Sequence, residues 1–98
     1  MNVSAVYERV SGFVEKKVGD EMILVPLSNQ VAQMSEVFTL NELGAFVLEQ
    51  LNGTITLSEV VKQVINNYDV AEQTVISDVE DFVIVALSKG VIREVEQD

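Results

Sequence analysis

The sequence predicts an α+β fold, a three-stranded antiparallel sheet followed by three helices. Three observations predict it. Short β-rich runs with alternating apolar residues occupy residues 13–40. From residue 41 onward the apolar spacing changes from two to the helical 3.6. Cap-forming residues at Asn41, Thr56 and Asp69 divide that second part into three segments.

The strands come first. Phe13 to Val18 and Glu21 to Leu27 are joined by Gly19-Asp20, a tight-hairpin signal because Gly accepts the positive φ that such turns demand. In the second strand Ile23, Val25 and Leu27 point one way and Met22 and Leu24 the other. Pro26 lacks an N–H and belongs near that strand's end. A polar connection over Ser28 to Ser35 leads into a third strand, Glu36 to Leu40. Alternation puts Phe38 and Leu40 on its core face and leaves Val37 and Thr39 on the other.

The helices follow. Asn41 is the expected N-cap of the first, with Leu43, Phe46, Val47 and Leu51 as its core stripe and Asn52-Gly53 as its stop. Thr56 and Glu59 form a capping box before a regular stripe of Leu57, Val60, Val61, Val64, Ile65 and Tyr68. Asp69 to Glu72 repeats the cap pattern, and the third helix runs to about Lys89, where Gly90 stops it. Val91 to Arg93 reads as a short extended piece. A single domain over 1–98 is expected, with 1–11 a loosely docked arm and 94–98 a solvated tail. A chain of 98 residues buries one core without disulfide or metal support.

Composition excludes several function classes. The formal charge is −10, with 16 acidic and 6 basic residues. Nucleic acid and anionic membrane are disfavoured, because affinity for both rests on Lys and Arg. A neutral or basic polypeptide is the better-matched partner. No apolar run approaches the ~20 residues that span a bilayer. The amino terminus lacks a basic region followed by an apolar one, so no signal peptide is expected and the cytoplasm is the expected location. With no His and no Cys, the commonest general base, the commonest metal ligand and the thiol nucleophile are missing. No Gly-rich loop leads from a strand into a helix. Neither an enzyme nor a bound cofactor or metal is expected.

One helix carries more than a core stripe. Val75, Val79, Phe82, Val83 and Ala86 form the buried face of the third helix. Ile84 falls nearly opposite, and Val85 falls on a flank with Asp78, Asp81 and Ser88. Apolar residues off the core face are covered by other parts of the chain or await a partner. Cover by the first eleven residues or the sheet is one reading; an acid-edged groove wall is the other.

Phe38-Thr39-Leu40-Asn41-Glu42-Leu43-Gly44-Ala45, then 51–61, Tyr68-Asp69-Val70 and 87–92, together resemble the PqqD family over roughly residues 10–92. Its members bind the leader segment of ribosomally made precursor peptides, in PQQ or related biosynthesis. The resemblance implies a winged-helix-like arrangement in which the leader adds as a strand beside the third strand, along the third helix. Carried onto this chain, the peptide-binding positions are Glu36, Val37, Phe38 and Thr39 on the strand, with Asp78, Asp81, Phe82 and Val85 on the helix. It further implies a radical S-adenosylmethionine enzyme as second partner, and no catalysis by the chain itself. Monomer and homodimer both remain open. Residues 28–35 lack the short acidic turn common in the family, and Phe46 stands where it often has Trp. Acidic cleft edges favour a leader carrying Lys or Arg. A structural or regulatory interaction subunit and a winged-helix DNA-binding regulator are the alternative readings. Against the second stands the charge of segment 71–89, four acids and one Lys.

Overall fold

The computed structural model describes residues 2–27 and 37–96. The connection expected over 28–35 and the first residue of the expected third strand, Glu36, lie outside the described residues. The order of elements is β1 (Val6–Arg9), β2 (Phe13–Val18), β3 (Glu21–Pro26), β4 (Phe38–Leu40), α1 (Glu42–Gln50), β5 (Asn52–Thr56), α2 (Leu57–Asn67), α3 (Glu72–Ser88) and β6 (Ile92–Glu94).

The expected meander is present, in the order β2-β3-β4. Its hairpin closes at Val18↔Glu21, and Gly19 has φ +62, a value open to glycine at little cost. Pro26 is the last residue of β3. Met22 and Leu24 face the core, whereas Val25 and Leu27 are exposed. β4 continues the ladder through Met22↔Leu40, Ile23↔Thr39 and Leu24↔Phe38. Leu40 is buried and Phe38 packs on the core, as alternation required.

Three expectations around the second sheet need correction. The N-terminal segment is not a loose arm. A second antiparallel sheet, in the order β5-β1-β6, has β1 as its middle strand, and Ala5, Val6 and Tyr7 are buried. Asn52-Gly53 does more than stop α1, because it opens β5. Glu94 belongs to β6 rather than to a tail, and the next N–H, of Val95, donates to the Val6 carbonyl at 2.8 Å. The segment before β1 also completes α2. The Leu57 and Ser58 N–H groups donate to the carbonyls of Ala5 (3.0 Å) and Val3 (2.9 Å), which satisfies two donors that a helix start leaves open. The capping box supplies others: Thr56 Oγ1 accepts from the Glu59 N–H, and Glu59 Oε1 accepts from the Thr56 N–H.

The helix stripes hold with local changes. In α1 the fully enclosed residues are Ala45, Val47 and Leu48, while Leu43 and Phe46 are only partly buried. Phe46 instead meets Tyr68 edge to face, with centroids 5.4 Å apart. α2 buries Leu57, Val60, Val61 and Val64. Asp69 does not cap α3, because Tyr68 closes α2 and α3 begins only after Ala71, without a side-chain cap. Val75, Val79, Val83 and Ala86 are buried, and Phe82 only partly.

Tyr7 gives the second sheet a measurable signature. Burial first, and then its cross-strand neighbour Glu94, push its hydroxyl above the usual 10.0. A raised native value means that folding favours the neutral phenol. The associated stability is fully present below the unfolded value and is lost as pH rises through the raised one. Denaturation midpoints are therefore expected to fall above about pH 10, and Tyr7→Phe is expected to lessen that fall. Identical alkaline profiles for the two proteins would contradict this.

Candidate functional site

β4 lies at the edge of its sheet. Among the described residues no strand pairs with its second side. The hydrogen-bonding direction along it follows from the hairpin. In a two-residue hairpin the closing pair, here Val18↔Glu21, exchanges ladder bonds. Alternation then directs the N–H and C=O groups of 21, 23 and 25 toward β2, and those of Met22 and Leu24 toward β4. Phe38 and Leu40 therefore answer β3, while Val37 and Thr39 aim their N–H and C=O groups away from the sheet. Val37 is 56% exposed. A free row of this kind is a template for another extended chain.

The chain after β4 is anchored at once. Asn41 Oδ1 accepts from the Gly44 N–H at 2.8 Å and caps α1. Gly44 sits against Phe82 of α3: a Cβ there would lie 3.5 Å from the Phe82 ring and 3.3 Å from Asn41 Oδ1. The contact with Phe82 would be an ordinary one and that with the capping oxygen a tight one, so the bare glycine spares the cap and keeps this part of the hollow open.

Facing that edge, α3 presents Asp78, Asp81, Phe82 and Val85, which follow the i, i+3, i+4, i+7 rule and share one stripe. Two adjoining depressions separate stripe and strand. One, of about 260 Å³, is lined by Phe38, Thr39, Leu40, Asn41, Gly44, Asp81, Phe82 and Val85. The other, of about 270 Å³, adds Leu43, Val47 and Asp78. The structure therefore brings Phe38, Thr39, Asp78, Asp81, Phe82 and Val85 around one cleft. Val37 stands at its entrance and lines neither depression, and Glu36 lies outside the described residues. Val85 is 40% and Ile84 60% exposed, so neither the N-terminal segment nor the sheet covers them.

Sequence reasoning gave Leu40, Asn41, Leu43 and Val47 of this cleft's lining only core or cap roles, and singled out neither Gly44 nor Lys89. Gly44 forms part of its floor. Lys89 lines neither depression but stands beside the Phe38 end, with Nζ 5.2 Å from the centroid of the Phe38 ring. Lys89 lies four residues beyond Val85, at the C-cap of α3, but its spacing alone does not show the Phe38 ring beneath it.

The arrangement can hold an extended backbone. It offers main-chain donors and acceptors on one side, an apolar ring and Val85 on the other, and acids at the rim. Among the described residues no three His, Cys, Asp or Glu side chains are grouped to hold a metal ion. Among them, too, no helix is long and apolar enough to cross a membrane.

Comparison with known proteins bears on family and fold. The family model for coenzyme PQQ synthesis protein D (PqqD) matches residues 21–92. No curated protein matches the chain. A solved structure described as "TbiB1 in Complex with the TbiA(beta) Leader Peptide" is similar in fold. Its TM-score is 0.72 at 21% identity, over 92% of this chain and 99% of that one.

Proposed function

We propose that this protein, which belongs to the PqqD family, recognises the leader segment of a ribosomally made precursor peptide and presents it to a modifying enzyme. The leader adds as a fourth strand beside β4, in the cleft between β4 and α3. The observation that carries this reading is the outward-facing main chain at Val37 and Thr39, set opposite the stripe of Asp78, Asp81, Phe82 and Val85. Main-chain pairing supplies affinity and the cleft wall supplies selectivity. The match in fold to a protein solved with a leader peptide supports the same reading.

The chain acts by binding and leaves chemistry to its partner, a radical S-adenosylmethionine enzyme. It needs no cofactor of its own. The whole of 1–98 serves as one binding domain in the cytoplasm.

The test is calorimetric titration of the protein with synthetic leader segments of candidate precursor peptides. Hydrogen exchange on the mixture then maps the contact. Saturable binding, with exchange slowed at 37–40 and 78–85, is expected. Asp81→Lys should weaken a basic leader by roughly threefold to tenfold, less in high salt, as a rim charge does. Protection confined to other segments would overturn the docking mode.

A further inference from the structure

The two ends of the cleft carry opposite charge, and its walls run in opposite directions. Lys89, just past the end of α3, lies over Phe38 at the start of β4. Asp81 and Phe82 border Leu40, Asn41 and Gly44, where β4 ends. Asp78 lies beyond them, beside Leu43 and Val47. β4 and α3 are thus antiparallel along the groove. A strand that pairs antiparallel to β4 runs in the same sense as α3. Its N-terminal part meets Asp78 and Asp81, and its C-terminal part meets Lys89.

Among the described residues none of these three charges belongs to an ion pair. Ion pairs form elsewhere, at Arg9–Glu15, Lys17–Glu49 and Arg93–Glu8. The Phe38 ring holds the Lys89 ammonium at the groove end by its electron-rich face, a contact that leaves the ammonium able to meet a carboxylate. Asp81 precedes Lys89 by eight helical positions and Asp78 by eleven. At about 1.5 Å per residue this is roughly 12–16 Å along the groove. An extended chain covers that span in about four residues, and residues four apart project to the same side.

Resting on the proposed strand addition, we infer that the cleft reads the direction and charge order of its ligand. It takes a peptide segment with a Lys or Arg followed about four residues later by an Asp or Glu, both facing α3. Antiparallel pairing is the sense already used throughout this sheet. The charge order excludes the reversed alignment, because that alignment sets like charges against each other at both ends.

A displayed library of random twelve-residue peptides, panned on the intact protein, tests this. Enriched peptides are expected to carry a cation and, about four positions C-terminal, an anion. Panning on the variant Asp78→Asn, Asp81→Lys, Lys89→Glu, with its fold checked by circular dichroism, is expected to enrich the inverse order. A synthetic peptide of the enriched type should bind the natural chain roughly threefold to tenfold tighter than its charge-swapped counterpart by fluorescence anisotropy. High salt should erase that difference. Equal binding of the two peptides, both still weakened by Val37→Pro, overturns the charge order and leaves strand addition standing. Enrichment of the inverse order by the natural chain also overturns it. Failure to enrich any peptide overturns both readings.

Discussion

Val37→Pro and Thr39→Pro are each expected to weaken leader binding by about tenfold or more while leaving thermal stability nearly unchanged. The expectation follows from where the two N–H groups point. The groups of Phe38 and Leu40 are engaged with Leu24 and Met22, so a proline at either would tear the sheet. Those of Val37 and Thr39 face the open side, where proline is tolerated on an edge strand. What the substitution removes is therefore a bond to the incoming peptide. The peptide carbonyl that would have received it is left without a donor in a partly dry groove. The lost bond and the stranded acceptor together amount to about 1.5–3 kcal/mol. Calorimetry against the synthetic leader measures the loss directly. Unchanged affinity in both folded variants would show that the peptide does not pair with β4.

The second large effect concerns the other sheet. Removing residues 2–9 is expected to abolish the cooperative unfolding transition altogether. β1 pairs with β5 through Val6↔Thr56 and Glu8↔Asn52, and with β6 through Tyr7↔Glu94, Glu8↔Arg93 and Arg9↔Ile92. Its loss leaves β5 and β6 with no strand partner among the described residues. It also strips the Ala5 and Val3 carbonyls from the start of α2 and exposes the core at Val91 and Ile92. A gentler variant, Tyr7→Ala, should cost about 3 kcal/mol, the scale for emptying a buried aromatic site. Chemical denaturation followed by circular dichroism reads both. A truncated chain that still unfolds in one sharp step would mean that β1 is dispensable.

What could be read in the sequence divides along the same line. The β2-β3 hairpin was legible because Gly19-Asp20 is a local signal between two runs rich in β-branched residues. α2 was legible because Thr56, Glu59 and five apolar positions agree with one period. β1 and β5 were not, since each is held mainly by a distant partner: 6–8 against 52–56, and 7–9 against 92–94. Asn52-Gly53-Thr54 carries the chemistry of a turn and keeps it in part, with Gly53 at φ +84, yet pairing with β1 draws it into a strand. Asp69 misled for a different reason. It has cap chemistry, but the extended backbone at Tyr68 carries the chain past it before α3 can start. Along the cleft, Asp78, Asp81 and Val85 were marked by being off the core face. Lys89 needed the structure, because its importance lies in the ring of Phe38, fifty-one positions earlier.

β1 and β6 lie side by side, and the Val95 N–H closes on the Val6 carbonyl. The chain thus enters and leaves through adjacent ports on the sheet that does not carry the cleft. A unit wired in this way can be spliced into a surface loop of a host protein as a cassette, with short tethers and no strain across its middle. Its recognition groove, borne by the other sheet, would remain available to a passing peptide in that setting.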